Sequence, residues 1–232
     1  MNRITLNTKQ STDVKGLLIS TLPPITKPLI RTQIDTVDGR DGDIVTCLGY
    51  SAYNKKFNIG LYGDYDINDV IQFFDSQGTV IFSNEPDKYY NYILYEQIDF
   101  ERLLRFKTAT VTMHVQPFKY CANEGVKTFN TAGIHNIMVW NEGNTKSKPV
   151  WTIYGDGSVD IRVNAGDAFG VTIRNNSITL DVDNMEAYKG DTLLNRYTFG
   201  DYDNLMLDVG ENEISFTGNV TKIEISKYSR WI

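Results

Sequence analysis

Apolar and polar residues alternate along most of this 232-residue chain, and this period of two is the feature that most constrains its fold. The run Trp151-Thr152-Ile153-Tyr154 shows the pattern of a strand with one buried face. Turn signals rich in Gly, Asn and Asp interrupt such runs about every 8–12 residues, as in β-sandwiches. The sequence therefore predicts a mainly-β protein made of two β-sandwich domains.

One segment departs from this pattern and has helical spacing. Asp66 is a good N-cap residue, and Gly78 fits the left-handed position that ends a helix. Between them we predict a single helix, 67–77, and no other helix in the chain. Its apolar stripe should pack onto a sheet and consists of Ile67, Val70, Ile71 and Phe74.

The length fits two ordinary domains, since domains cluster near ~100–150 residues. The stretch 118–125 closes the half that contains the helix, and the second half shows only strand and turn signals. We expect an N-terminal domain at 1–123 and a C-terminal domain at 124–232.

Charge and composition exclude several classes of function. The net charge of −6 disfavours electrostatic binding to nucleic acid, and no run approaches the ~20 apolar residues of a membrane span. The N-terminus lacks the apolar region of a secretory signal, so folding in a reducing cytoplasm is expected. Cys47 and Cys121 lie far apart in sequence, and Cys47, in an apolar run, is expected to be buried.

Familiar catalytic motifs do not occur in the sequence. His114 lies within a strand pattern and His135 opens the second half, and neither has a metal-ligand or nucleophile partner nearby in sequence. The run Gly155-Asp156-Gly157-Ser158 lacks the third glycine of a nucleotide-binding loop and is expected to be a hairpin turn. We therefore predict no catalytic residue, no cofactor and no metal site.

Two pairs of carboxylates are spaced two residues apart, Asp64 with Asp66 and Asp181 with Asp183. On a strand each pair would share a face and could hold Ca²⁺ or flank a glycosidic bond. The favoured interpretation is structural: a helix cap for the first pair and a strand end for the second.

Carbohydrate binding is the alternative function that the residues leave open. Trp140, Trp151 and Tyr154 are the candidates for stacking on sugar rings. The competing interpretation places Trp140 and Trp151 in the core of the second sandwich.

An ordered set of motifs links the chain to a known family. The turn Asp38-Gly39-Arg40-Asp41-Gly42 precedes the helix, Phe82-Ser83-Asn84-Glu85-Pro86-Asp87-Lys88-Tyr89-Tyr90 follows it, and a later strand ends in Pro117-Phe118-Lys119-Tyr120. In the second half, Ile153-Tyr154-Gly155-Asp156-Gly157 and the terminal Arg230-Trp231 continue the order. Across nearly its whole length, the sequence resembles the distal tail proteins of siphophages.

The resemblance implies a structural virion protein, not an enzyme, that forms a hexameric ring, single or as two stacked rings. It implies that 1–123, with its helix and a protruding hairpin, builds the ring, and that 124–232 is a peripheral galectin-like sandwich. The implied partners are a tail tube protein, a tail-tip protein and a receptor-binding protein. The implied location is the virion tail tip, assembled in the cytoplasm of a bacterial host, and the chain is too short to carry the inserted carbohydrate-binding module of longer members.

Within this interpretation, one loop is the candidate for subunit contacts. We expect Gly39, Arg40, Asp41 and Gly42 to shape a loop that contributes to the ring interface. An ordinary surface turn is the alternative, since loops rich in Gly and Asp are common.

Overall fold

The protein is described by a computed structural model that covers residues 1–74 and 76–232. The chain divides into two compact units, Met1–Ala122 together with Ile232, and Asn123–Trp231, which we call the first and second units. Strands dominate both units, which confirms the mainly-β prediction. Neither α-helix in the described residues is long and apolar enough to cross a membrane.

The first unit is built on one curled antiparallel sheet in the order β2-β1-β7-β8-β9-β6-β3, with β4 and β5 forming a separate two-stranded sheet. A short 3₁₀ turn, Ser11–Asp13, follows β2. The elements in chain order are β1 Ile4–Leu6, β2 Lys9–Gln10, β3 Leu17–Ile19, β4 Ile30–Thr36, β5 Asp43–Tyr50, β6 Tyr53–Leu61, α1 Ile67–Phe73, β7 Gln77–Phe82, β8 Lys88–Ile93, α2 Phe100–Phe106 and β9 Thr108–Cys121.

Alternation places the core of the first unit on one face of this sheet. Val111, Met113 and Val115 of β9 are fully buried, and the residues between them are not. On the neighbouring β6, Phe57 points the same way and meets Phe82 edge to face, with ring centroids 6.1 Å apart. Each such side chain contributes about 1.5–3 kcal/mol by leaving water, so this face stabilises the unit.

The helix α1 begins where the sequence predicts and ends earlier. The Asp66 carboxylate accepts a hydrogen bond from the backbone N–H of the second helical residue at 2.8 Å, as expected of an N-cap. The last helical residue is Phe73, and Asp75, within the predicted helix, lies outside the described residues. Gly78 does not cap the helix: it lies in β7, where a Cβ would come within 2.0 Å of the Asn7 carboxamide oxygen.

The buried stripe of α1 also differs from the predicted one. Val70, Phe73 and Phe74 are buried, whereas Ile71 is 44% exposed. The helix buries Phe73 in place of Ile71, and the Phe73 ring packs edge to face against Phe74, with centroids 5.2 Å apart. The prediction that Ile71 packs onto the sheet is therefore wrong.

A second helix, α2, was not predicted. Asp99 caps it by accepting a hydrogen bond from the backbone N–H of Arg102 at 2.8 Å, and Lys107 ends it in the left-handed conformation with φ of 56°. Only Leu103 of this seven-residue helix is fully buried. A single buried residue gives too little periodicity to separate a short helix from the strands on either side.

The second unit is a sandwich of two hydrogen-bonded strand groups, β10-β19-β12-β14-β15-β16 and β11-β18-β12-β13-β17. The two groups share β12. The strands in chain order are β10 Lys127–Asn130, β11 Asn136–Asn141, β12 Val150–Val163, β13 Phe169–Ile173, β14 Ser177–Asp181, β15 Glu186–Lys189, β16 Thr192–Leu193, β17 Thr198–Phe199, β18 Gly210–Phe216, β19 Asn219–Ser226 and β20 Arg230–Trp231, with 3₁₀ turns at Asn195–Tyr197 and Tyr202–Leu205.

The shared strand β12 corrects the expected hairpin turn at Gly155–Ser158. The chain runs straight through these residues: Val150–Tyr154 pair with β14, and Gly157–Ile161 pair with β13. A register shift against β19 lies between Tyr154 and Gly155, and bulges of this kind let one strand pass from one sheet to the other. Glycine is needed at 155 because a Cβ there would lie 2.0 Å from the Asn219 carbonyl oxygen.

Candidate functional site

The two-stranded sheet of the first unit is the most unusual surface of the molecule. We call β4, β5 and the loop 37–42 between them the arm. All seven residues of β4 are exposed, and β5 is exposed until Tyr50. The strands pair antiparallel from Ile30↔Tyr50 to Thr36↔Asp43, with an irregularity between Ile30 and Thr32.

The register gives the arm one apolar face. Residues directly opposite in an antiparallel pair share a face, so Ile34 with Val45 and Thr32 with Cys47 lie together. Ile34 is 60% exposed and Val45 57%. Ile30 extends this face toward the root of the arm. Cys47 is also exposed, so the expectation of a buried thiol is wrong: the run around it is a strand with no core beneath it.

The opposite face of the arm is mostly polar. It carries Gln33, Asp35 and Thr46, with Ile44 opposite Asp35. The Gln33 side-chain amide donates to both oxygens of the Asp35 carboxylate at 3.1 Å, which ties these neighbours together along the strand. The arm is thus amphipathic, and its two faces suit different surroundings.

An amphipathic two-stranded ribbon is marginally stable in water without something to cover it. Two exposed β-branched side chains side by side forgo the ~1.5–3 kcal/mol each that burial provides. Contiguous exposed apolar surface of this kind marks protein–protein interaction sites. The geometry of the arm therefore fits a protein partner on its apolar face.

The predicted interface residues Gly39, Arg40, Asp41 and Gly42 form the tip of the arm. The backbone N–H of Arg40 donates to the Val37 carbonyl at 3.1 Å and closes the turn. Gly39 and Gly42 have φ of 80° and 76°, the left-handed conformation that favours glycine, and a Cβ at either would meet nothing within 4 Å. All four residues are exposed, and their role at an interface remains a prediction.

The root of the arm is fixed to the first unit by an aromatic contact and a backbone hydrogen bond. The Tyr50 ring meets Phe118 of β9 edge to face, with centroids 5.6 Å apart. The Ser51 backbone N–H donates to the Leu29 carbonyl at 2.8 Å. These contacts hold the two ends of the arm side by side.

A buried ionisable cluster lies beside this root. Lys55 of β6 is 3% exposed, and its ammonium lies 4.7 Å from the Tyr90 ring centroid, 5.5 Å from Tyr53 and 5.8 Å from Phe82. Burial lowers the pKa of Lys55 from 10.5 to about 8, against the opposing effect of Glu85. The burial of Lys55 can be predicted from the sequence, because strict alternation along β6 places it on the inward face between Tyr53 and Phe57.

Glu85 is the anion of this cluster. Its carboxylate pairs with Lys119 and accepts a hydrogen bond from the Tyr90 hydroxyl at 2.6 Å. Burial first, and then Glu85, raises the pKa of Tyr90, so this phenol stays protonated. The cluster holds two ammonium groups and one carboxylate, and burial disfavours the charge of Lys55.

The three candidates for sugar stacking are not brought together. Trp151 is fully buried in the core, so its ring cannot stack on a ligand. Trp140, on β11, is 59% exposed, so the interpretation that both tryptophans are core residues holds for Trp151 and is wrong for Trp140. Tyr154 lies on the outer face of β12, where the Lys222 ammonium covers its ring at 3.8 Å and its hydroxyl donates to Glu224 at 3.0 Å.

The carboxylate pairs have structural partners. Asp66 caps α1, and Asp64 lies 3.4 Å from Lys15 at the surface. One Asp181 oxygen accepts from the backbone N–H groups of Asp183 and Asn184, each at 3.0 Å, which builds the turn after β14. Among the described residues, no three His, Cys, Asp or Glu side chains are grouped so that they could hold a metal ion.

The histidines also have neighbours typical of structural residues. His114 in β9 shares a 2.8 Å hydrogen bond with the Asn54 carboxamide oxygen, and its ring meets Tyr95 edge to face. His135 lies near the Phe216 ring, with centroids 6.4 Å apart. Within residues 1–74 and 76–232, neither histidine belongs to a group of side chains that could hold a metal ion.

Comparison with known proteins gives matches of structure alone. No family model and no curated protein matches the sequence. The structure aligns over 100% of both chains with the SPP1 Dit protein, gp 19.1, with a TM-score of 0.67 and 16% identity. The fold is that of a distal tail protein. The SPP1 protein is described as a paradigm of the hub adsorption apparatus in phages that infect Gram-positive bacteria.

Two further structures are more distantly similar. Both are of the phage P2 baseplate in its activated conformation, one with Ca and one with Sr. They align over 97% and 96% of this chain, and over 97% of the matched chain in each case. The TM-scores are 0.47 and 0.45, with 12% and 13% identity.

Proposed function

We propose that this protein is a structural subunit of a ring at the distal end of a siphophage tail. The ring is hexameric and connects the tail tube to the tail tip and the host-adsorption apparatus. The observation that carries the proposal is the arm: an amphipathic ribbon with an uncovered apolar face, on a chain that shares its fold over its full length with the SPP1 Dit protein.

The arm suits a ring because a closed ring needs a heterologous interface, in which one surface of each subunit binds a different surface of the next. The arm is a separate two-stranded sheet with exposed residues, so it can reach a neighbouring copy. The apolar face of Ile34 and Val45 would then be covered by that copy. In this proposal 1–123 is the ring-forming domain, with Gly39–Gly42 at the subunit contact.

The second unit, 124–232, has a peripheral role in this proposal, as a galectin-like sandwich that attaches receptor-binding parts. The tail tube protein and a tail-tip protein contact the ring, which is single or doubled. A structural role is supported by the ionisable groups with shifted pKa values, such as Lys55 and Tyr90, which are engaged in packing and structural hydrogen bonds.

The mass of the native particle tests this proposal. Six copies of the 26.4 kDa chain give about 158 kDa, and two stacked rings give twice that mass. Native mass spectrometry and electron microscopy of the full chain should show this mass and six-fold symmetry. A protein that stays monomeric at high concentration and binds cell-wall glycan would overturn the proposal in favour of the carbohydrate-binding alternative.

A further inference from the structure

The chain reaches the arm through an extended segment, residues 20–29, which we call the strap. It contains no helix or strand and includes three prolines, which cannot donate backbone hydrogen bonds. Side chains of the first unit hold its carbonyls instead: Asn84 donates to Pro23 at 3.0 Å, Lys55 to Pro24 at 3.0 Å, and Tyr53 lies 3.5 Å from Thr26. The direction in which the arm leaves the unit depends on these anchors.

Lys55 differs from the other two anchors because its side chain is basic and its amine is buried away from water. Its stem is buried on β6, and its ammonium is enclosed by three aromatic rings and the strap carbonyl. The groups with charge or titratable protons around it are Glu85 from the β7–β8 turn, Lys119 of β9, Tyr53 of β6 and Tyr90 of β8. Glu85 is already paired with Lys119, and in the part of the chain that the structure describes no carboxylate forms an ion pair with Lys55.

We propose that Lys55 is a proton-sensitive latch at the root of the arm, which holds the strap more weakly while its amine is charged and more tightly once the amine is neutral. Release of the strap uncovers the ammonium and returns it to water. A charged amine gains hydration by this release, and a neutral amine gains little. The latch therefore sets how freely the arm changes direction.

Proton linkage gives the direction in which pH shifts the equilibrium between the closed and the released strap. Burial lowers the pKa of Lys55 to about 8 with the strap in place, and an amine that release returns fully to water has the ordinary value of 10.5. The closed state thus binds fewer protons than the released state, and raising the pH favours it. With these two pKa values the equilibrium for release is about tenfold smaller at pH 9 than at pH 7.

Two backbone amides report release of the strap. The Thr21 N–H donates to the Asn58 carbonyl at 3.3 Å before the anchored carbonyls, and the Ser51 N–H donates to Leu29 at 2.8 Å after them. Each amide exchanges with solvent only when its bond opens, so its protection factor measures local release. The Thr131 amide, which donates to the Thr221 carbonyl at 3.0 Å in the second unit, serves as a reference.

The test is hydrogen exchange of the full chain at pH 7 and pH 9, with each rate divided by its intrinsic rate. Protection at Thr21 and Ser51 should rise about tenfold in the wild type and in Lys56→Met, a matched change of the exposed neighbour on the same strand. It should not change with pH in Lys55→Met. Flat protection in the wild type, an equal rise in Lys55→Met, or an equal rise at Thr131 would each overturn the latch.

A second measurement does not depend on any variant being folded. Side-chain NMR of the lysine ammonium groups should show one lysine that titrates well below the others, and its absence would overturn the latch. The bearing of the latch on assembly rests on the proposed function. Hydrogen exchange is measured on the dilute subunit, so failure to form a ring would not affect the result at Thr21 and Ser51. The latch and the proposed ring can therefore be refuted independently.

Discussion

The apolar face of the arm gives the sharpest prediction, which is that Ile34→Asp prevents assembly without unfolding the subunit. Ile34 is 60% exposed and is not among the residues that pack in the core of the first unit. Its full burial would contribute about 1.5–3 kcal/mol, so a partner that covers the exposed part gains roughly 1–2 kcal/mol. Aspartate loses this gain and adds the cost of burying an unpaired charge, several kcal/mol more.

In the proposed ring, a loss of about 3 kcal/mol at each interface would weaken every subunit contact by more than a hundredfold, since each 1.4 kcal/mol is a factor of ten. Size-exclusion chromatography with light scattering over a concentration series should therefore show a ring for the wild type and a monomer for Ile34→Asp. The melting temperature of the dilute subunit should stay within a few degrees of the wild type, because the site is exposed.

Thr46→Asp is the matched control, because Thr46 lies on the polar face of the same arm and is also exposed. It introduces the same charge and should leave the ring intact. Cys47, on the apolar face, supplies an independent reading: its thiol should react with maleimide more slowly in the ring than in the Ile34→Asp monomer. If both aspartate variants assemble, or if both fail equally, the argument from the faces of the arm is refuted.

Three further variants test other parts of the structure. Arg40→Glu at the tip should weaken ring formation and leave the melting temperature unchanged, since Arg40 is exposed; unchanged assembly would show that the tip is not a subunit contact. Gly155→Ala should destabilise the second unit by about 3 kcal/mol in urea unfolding, because its Cβ would lie 2.0 Å from the Asn219 oxygen; a stability like the wild type would mean that β12 shifts to make room. Glu124→Ala should also cost about 3 kcal/mol, because it removes the carboxylate 3.0 Å from the buried Lys227 ammonium, and a neutral effect would show that Glu142, 3.6 Å from the same ammonium, compensates the charge alone.

The sequence predicts the strands of this fold well, because strands with one buried face alternate visibly. Trp151 and Ile153 point into the core, as the period of two requires. It also predicts α1 and its N-cap, because the buried face of a helix likewise leaves a regular spacing of apolar residues in the sequence. It does not predict α2, where Leu103 alone is buried. Nor does it predict the continuous β12, because Gly155, which permits close approach of a neighbouring strand, has the sequence signal of a turn.

The arm shows a different limit of sequence reasoning. The apolar run around Cys47 predicts burial of the thiol, which a single subunit does not provide. An apolar stretch of sequence indicates that its surface is buried in the assembled protein. It does not indicate whether the same chain or a partner covers that surface. Lys55 is the opposite case, because alternation alone places a charge on the buried face.

The sharing of β12 between both sheets has a consequence for how the second unit folds. Neither sheet can be completed without the strand that the other also requires, so there is no stable half-sandwich to populate. Its pairings with β18 and β19 join residues far apart in sequence. Contacts of this kind slow folding, so we expect the second unit to fold slowly and in a single cooperative step. A chain cut at Gly155 would leave two fragments that each lack half of their central strand, and neither should hold its shape until the two meet again.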